Sequence, residues 1–159
     1  MSGLNPIYLL SQIAAAITVA LALWKGDRAA RTAAIAFVIL DLATAVIRPK
    51  VGDVSSETIL LLLDFVCAVV FLLLAVRYAS LWLGAAMIFQ AAQFSLHAYY
   101  LVMELPHDLL HAWINNADNW GILISIVVGT VLAIRRRQSL AREEAERELL
   151  RQQRASRAR

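Results

Sequence analysis

Residues 58–76, TILLLLDFVCAVVFLLLAV, form an apolar stretch broken by one carboxylate, Asp64. Apolar side chains fall at every register of it, whereas a surface helix would show them only every third and fourth position. At about 1.5 Å of rise per residue, such a stretch matches the ~20 residues that cross a bilayer core. The stretch therefore implies a membrane and an acid placed inside it.

The rest of the chain supports that reading. Its 159 residues are 60% hydrophobic with a mean hydropathy of +0.65. Soluble domains run at roughly 45–50% apolar, so lipid must cover the excess. The single cysteine, Cys67, lies within the apolar stretch, which leaves no disulfide framework and no mark of a reactive thiol. The net charge of +3 belongs to residues that flank apolar segments, so anionic lipid headgroups fit it as partners and nucleic acid does not.

Four more apolar segments, at 7–24, 32–47, 81–103 and 120–134, make an all-α fold of five transmembrane helices. The three prolines, Pro6, Pro49 and Pro106, fall outside all five. A tail inside the cytoplasm puts every Lys and Arg of the fifteen there except Arg48 and Lys50. The positive-inside rule then sets the N-terminus outside, in the cell (inner or plasma) membrane. The connection from Glu104 to Asn119 has no Lys or Arg, as an exported loop should. Tyr8, Tyr99, Tyr100, Trp113 and Trp120 mark the outer interface, with Trp24, Tyr78 and Trp82 at the inner one. No basic residue precedes the first segment, so it reads as a retained helix and not a cleaved signal. Residues 1–134 form the membrane domain and 135–159 a basic tail.

Helices in lipid associate through small residues and interhelical hydrogen bonds. Gly121, Ser125, Gly129 and Ala133 recur every four residues and offer such a face, to a helix of this chain or of a neighbouring subunit. Ala16 with Ala20, and Ser80 with Gly84, repeat the feature more weakly.

Asp41, Asp64 and His97 lie on three different segments, each six residues from the outer boundary, hence about 9 Å deep. Gln12 and Ser125 fall near the same level, and Gln90, Gln93, His97, Tyr100 and Glu104 share one face of helix four. Two carboxylates side by side resist double ionisation, so one is expected to be neutralised by a proton, by His97 or by Arg48. Two readings stay open. The layer is hydrogen-bond glue that sets helix register, or it is a ligand, proton or metal site open to the outside.

In the outer connection, Leu105, Leu109, Leu110, Trp113 and Ile114 fit a short interfacial helix begun at Pro106. Glu104, His107 and His111 follow a three-then-four spacing that would suit a metal, a weak signal without a further ligand. His97 is the one histidine within a segment, which leaves haem without a second axial imidazole at that depth. The tail lacks helix breakers and pairs Glu143 with Arg147, so it extends helix five as a cytoplasmic helix. It fits a solvated helix or a docking arm for anionic lipid or a partner.

No nucleophile with its base, phosphate loop or paired-cysteine site is present, so no cofactor is implied and an enzyme has little to stand on. The expectation is a non-enzymatic accessory or assembly subunit of a larger membrane complex, or a homo-oligomer. The alternative is a small transporter or binding protein that uses Asp41, Asp64 and His97.

Overall fold

The computed structural model describes residues 6–47, 54–106 and 108–157, and its regular elements are all α-helices. These are α1 (Pro6–Lys25), α2 (Arg28–Ile47), α3 (Val54–Tyr78), α4 (Leu81–Val102) and α5 (Leu109–Arg157). Stretches of α2 (Arg28–Val46), α3 (Glu57–Tyr78) and α5 (Leu109–Arg154) are long and apolar enough to cross a membrane, and they mark a membrane protein. α1 contributes the shorter apolar stretch Leu9–Lys25. α4 is long enough but carries the polar residues Gln90, Gln93 and His97. Arg48, Lys50 and His107 lie outside the described residues.

Local chemistry sets the helix ends. Asp27 caps α2 by accepting the Ala30 N–H at 2.9 Å, one turn into the helix. The preceding Gly26 is packed so closely that a Cβ would lie 2.3 Å from the Ala22 carbonyl oxygen and 2.8 Å from the Ala30 Cβ. α3 and α4 both end in a Schellman motif. In the first, Ala79 has φ 46°, with Ser80 N–H donating to Ala75 O and Ala79 N–H to Val76 O. In the second, Glu104 has φ 52°, with Leu105 N–H donating to Tyr100 O and Glu104 N–H to Leu101 O. Glycine normally fills that left-handed position, so both turns are made at some steric cost.

The helices close a ring in chain order. α4 is seated between α3 and α5, its two broadest neighbours, α1 packs on α5 and α2, and α2 packs on α3 and reaches α5 across the middle. Thr32 at the start of α2 meets Tyr78 at the end of α3, so these two run antiparallel. Arg137 of α5 donates to the Gly26 carbonyl at the end of α1 at 3.0 Å, so α1 and α5 run the same way. Five members closing a ring require one such parallel pair.

One half of the interior is apolar. Ala22, Ala30, Ala33, Ala34, Phe71, Leu83 and Ile126 have no exposed surface there. The outside is apolar too, with Leu62, Leu73, Val76, Leu81, Ile88 and Val102 all exposed, which water would not tolerate and hydrocarbon favours.

The stripe on α5 faces α4 of the same chain. A Cβ on Gly121 would meet the Phe89 ring at 2.6 Å, and one on Gly129 the Trp82 ring at 2.3 Å. Ser125 and Ala133 are buried on the same helix. The weaker features differ from expectation: Ala16 and Ala20 are exposed, while α1 buries Ser11, Ala15, Thr18 and Ala22, and Gly84 faces open space.

A further difference concerns the outer connection. The segment read as a separate interfacial helix is the first part of α5, which runs unbroken from Leu109. Asp108 is its N-cap, accepting the His111 N–H at 2.9 Å, and nothing between there and Trp120 breaks a helix. The loop is thus shorter than expected, and Asp118, placed in it by sequence, is buried in the bundle.

Candidate functional site

Antiparallel α3 and α4 bring Asp64 against two side chains that stand two turns apart on α4. Gln90 Nε2 donates to Asp64 Oδ1 at 3.3 Å, and His97 Nδ1 touches Asp64 Oδ2. Both carboxylate oxygens are thereby engaged, and the pair is mostly screened from the surroundings. A protonated His97 would balance the Asp64 charge; a neutral one would share a single proton with it. α5 adds His111, whose ring stacks on His97 with centroids 5.1 Å apart. Tyr100 meets His111 edge-on at 4.7 Å, and its hydroxyl donates to Asp108 at 2.8 Å. The Asp108 carboxyl is held below the ordinary carboxylate range, first by the His111 N–H and then by the Tyr100 hydroxyl.

Two cavities flank Asp64. The larger, about 350 Å³, is lined by Glu57, Asp64, Gln93, His97, His111 and Asn115, with Thr44, Leu60, Leu101 and Ala112. The smaller, about 100 Å³, continues past Asp64 to Ser11, Gln12, Asp41, Gln90, Asn116 and Asn119, and ends on Phe37, Cys67 and Ile122. One turn along α5 from Asn115, Asp118 is nearly inaccessible, and neither its Oδ2 nor the Asn115 Oδ1 has a hydrogen-bond partner among the described residues. The larger cavity is therefore rich in acceptors, and one of them, the buried Asn115 Oδ1, awaits a donor.

Of the residues singled out from sequence, Asp64, Gln90 and His97 meet directly. Gln93 lines both cavities, and Gln12 and Asp41 line the smaller one. Tyr100 touches the site through His111. Ser125 does not join, because its hydroxyl turns back to the Gly121 carbonyl at 2.8 Å. Glu104 leaves the polar face of α4 because the helix ends at Val102, and it is exposed in the turn. His111 points instead into the bundle, so Glu104 and His111 have separate surroundings. Among the described residues, no group of three or more His, Cys, Asp or Glu is placed to hold a metal. His97 is not the lone imidazole at its depth, contrary to expectation, because His111 belongs to α5 and stacks on it.

The α5 contribution was the part sequence reasoning missed. His111, Asn115 and Asp118 continue the register of Ser125 and Gly129 backwards in steps of four and three, a signal obscured by treating residues before Trp120 as loop. Comparison with protein-family models, with curated proteins and with solved structures returns no match for this chain.

Proposed function

We propose that this chain is a non-enzymatic, five-span protein of the cell membrane, with its N-terminus outside and its tail in the cytoplasm, whose outer cavity binds a small cationic solute at Asp64 and His97. The observation that carries the reading is the acceptor-rich cavity, in which Glu57, Asp64 and Asn115 converge and the buried Asn115 Oδ1 lacks a donor among the described residues. A protonated amine or guanidinium supplies both N–H groups and charge. The cavity ends on apolar side chains, and the far half of the bundle is closed by Ala30, Ala33, Phe71 and Leu83. In this state it is a pocket and not a channel.

Five crossings are supported by the ring, since a bilayer that takes α3 and α5 also takes α4 between them. Sidedness is supported by the charge at each end. Arg28, Arg136 and Arg137 gather at the end with the α1–α2 turn, and Glu57 and Asp108 at the other. The test is thermal stabilisation of the purified protein in nanodiscs by methylammonium and guanidinium. Wild type should be stabilised and Asp64→Asn should not. An absence of any shift in wild type, or an equal shift in the variant, would remove the reading.

A second reading, an accessory or assembly subunit of a larger complex, is favoured by the tail. Leu140, Leu149 and Leu150 stay exposed on the part of α5 beyond the bundle. The small-residue stripe adds nothing to it, being occupied by Phe89 and Trp82. Gentle-detergent purification should then recover a stoichiometric partner, and recovery as a lone monomer would count against it.

A further inference from the structure

A third cavity, about 420 Å³, opens at the end of the bundle opposite the polar site. Its wall has two characters. Arg28 and Arg136 are on it with the Ser80 and Tyr78 positions, while Trp82 and Leu132 form an apolar flank. Asp27 also lines it, but one of its oxygens is committed to the Ala30 N–H. Two arginines beside an apolar wall, on the surface of a protein that lipid surrounds, match one chemistry: a phosphate carried on a hydrocarbon chain. We infer that the Arg28–Arg136 cavity is a binding site for the phosphate group of an anionic phospholipid, with the acyl chain against Trp82 and Leu132.

The local structure assists. Arg28 opens α2 and Leu81 opens α4, so the positive ends of both helix dipoles are near the two guanidinium groups. Ser80 makes no side-chain cap to the first N–H groups of α4. Arg137, next to Arg136, is anchored on the Gly26 carbonyl and holds this part of α5 against the α1–α2 turn. Unlike the tail arginines, which stand along an exposed helix, these two line one cavity.

The test uses the full chain in detergent and native mass spectrometry with phosphatidylglycerol and phosphatidylcholine of identical chains. Wild type should retain phosphatidylglycerol preferentially, and Arg28→Gln with Arg136→Gln should reduce that preference by about tenfold, given the attraction each basic residue has for an anionic headgroup. Arg142→Gln with Arg147→Gln, in the tail, should leave it unchanged. Should the double variant fail to fold, Ser80→Asp decides: aspartate suits a helix N-cap and adds a negative charge to the cavity wall, so helicity should stay and the preference fall. Equal retention of both lipids by wild type, a loss matched by the tail variant, or an unchanged preference in Ser80→Asp would overturn the inference. Displacement of lipid by millimolar inorganic phosphate would assign the site to free phosphate and overturn the lipid assignment.

Discussion

At Asp64, charge and hydrogen bonding can be separated by substitution. Asp64→Leu leaves Gln90 and His97 without their acceptor and should lower stability by about 1–3 kcal/mol in a thermal melt, whereas Asp64→Asn should recover most of it. Asp108 offers a pH test outside the bilayer. Its carboxyl is depressed, so the stabilisation is present above the ordinary carboxylate value and is lost as pH falls through the lower, folded-state value. Melts of wild type and Asp108→Asn should therefore differ at neutral pH and converge only once the pH has fallen through that lower, folded-state value. Much of this site was legible in the sequence, because an ionisable group within an apolar stretch has to find a partner. Equal depth on neighbouring helices is enough to bring Asp64 and His97 together. Asp41, at the same depth, lines only the smaller cavity, because depth along a helix leaves the direction of the side chain around its axis undetermined.

Between helices, the glycines of α5 act through what they leave room for. Gly121→Ala and Gly129→Ala would drive a methyl into the Phe89 and Trp82 rings and should each cost about 1–3 kcal/mol, read as a lower melting temperature. Gly84→Ala meets nothing within 4 Å and should gain up to about 1 kcal/mol from helix propensity, which makes it the matched control. The turns give a prediction of opposite sign: Ala79→Gly should stabilise by about 0.5–1 kcal/mol, since it removes a left-handed alanine. Apolar segments and prolines made the helices readable from sequence, and the four-residue spacing made the α5 face readable. The start of α5 was not, because polar residues such as Asn115 and Asp118 look the same in an exposed loop and on a buried helical face.

Over the whole molecule, α5 differs in kind from the other four helices. Its 49 residues extend about 74 Å at 1.5 Å each, more than twice a bilayer core of about 30 Å, so it must emerge from the membrane at one end at least. A reporter fused at the C-terminus should be active in the cytoplasm; activity on the opposite face would reverse the proposed orientation. The same helix carries Asn115 on the cavity beside Asp64, Arg136 on the basic one, and Arg154 near its far end, without a break. No hinge separates these stations. A tilt at any one of them would be felt as a swing at the others, and with Arg137 gripping the α1–α2 turn as fulcrum, whatever takes hold of the protruding arm would also have leverage on the mouth of the pocket.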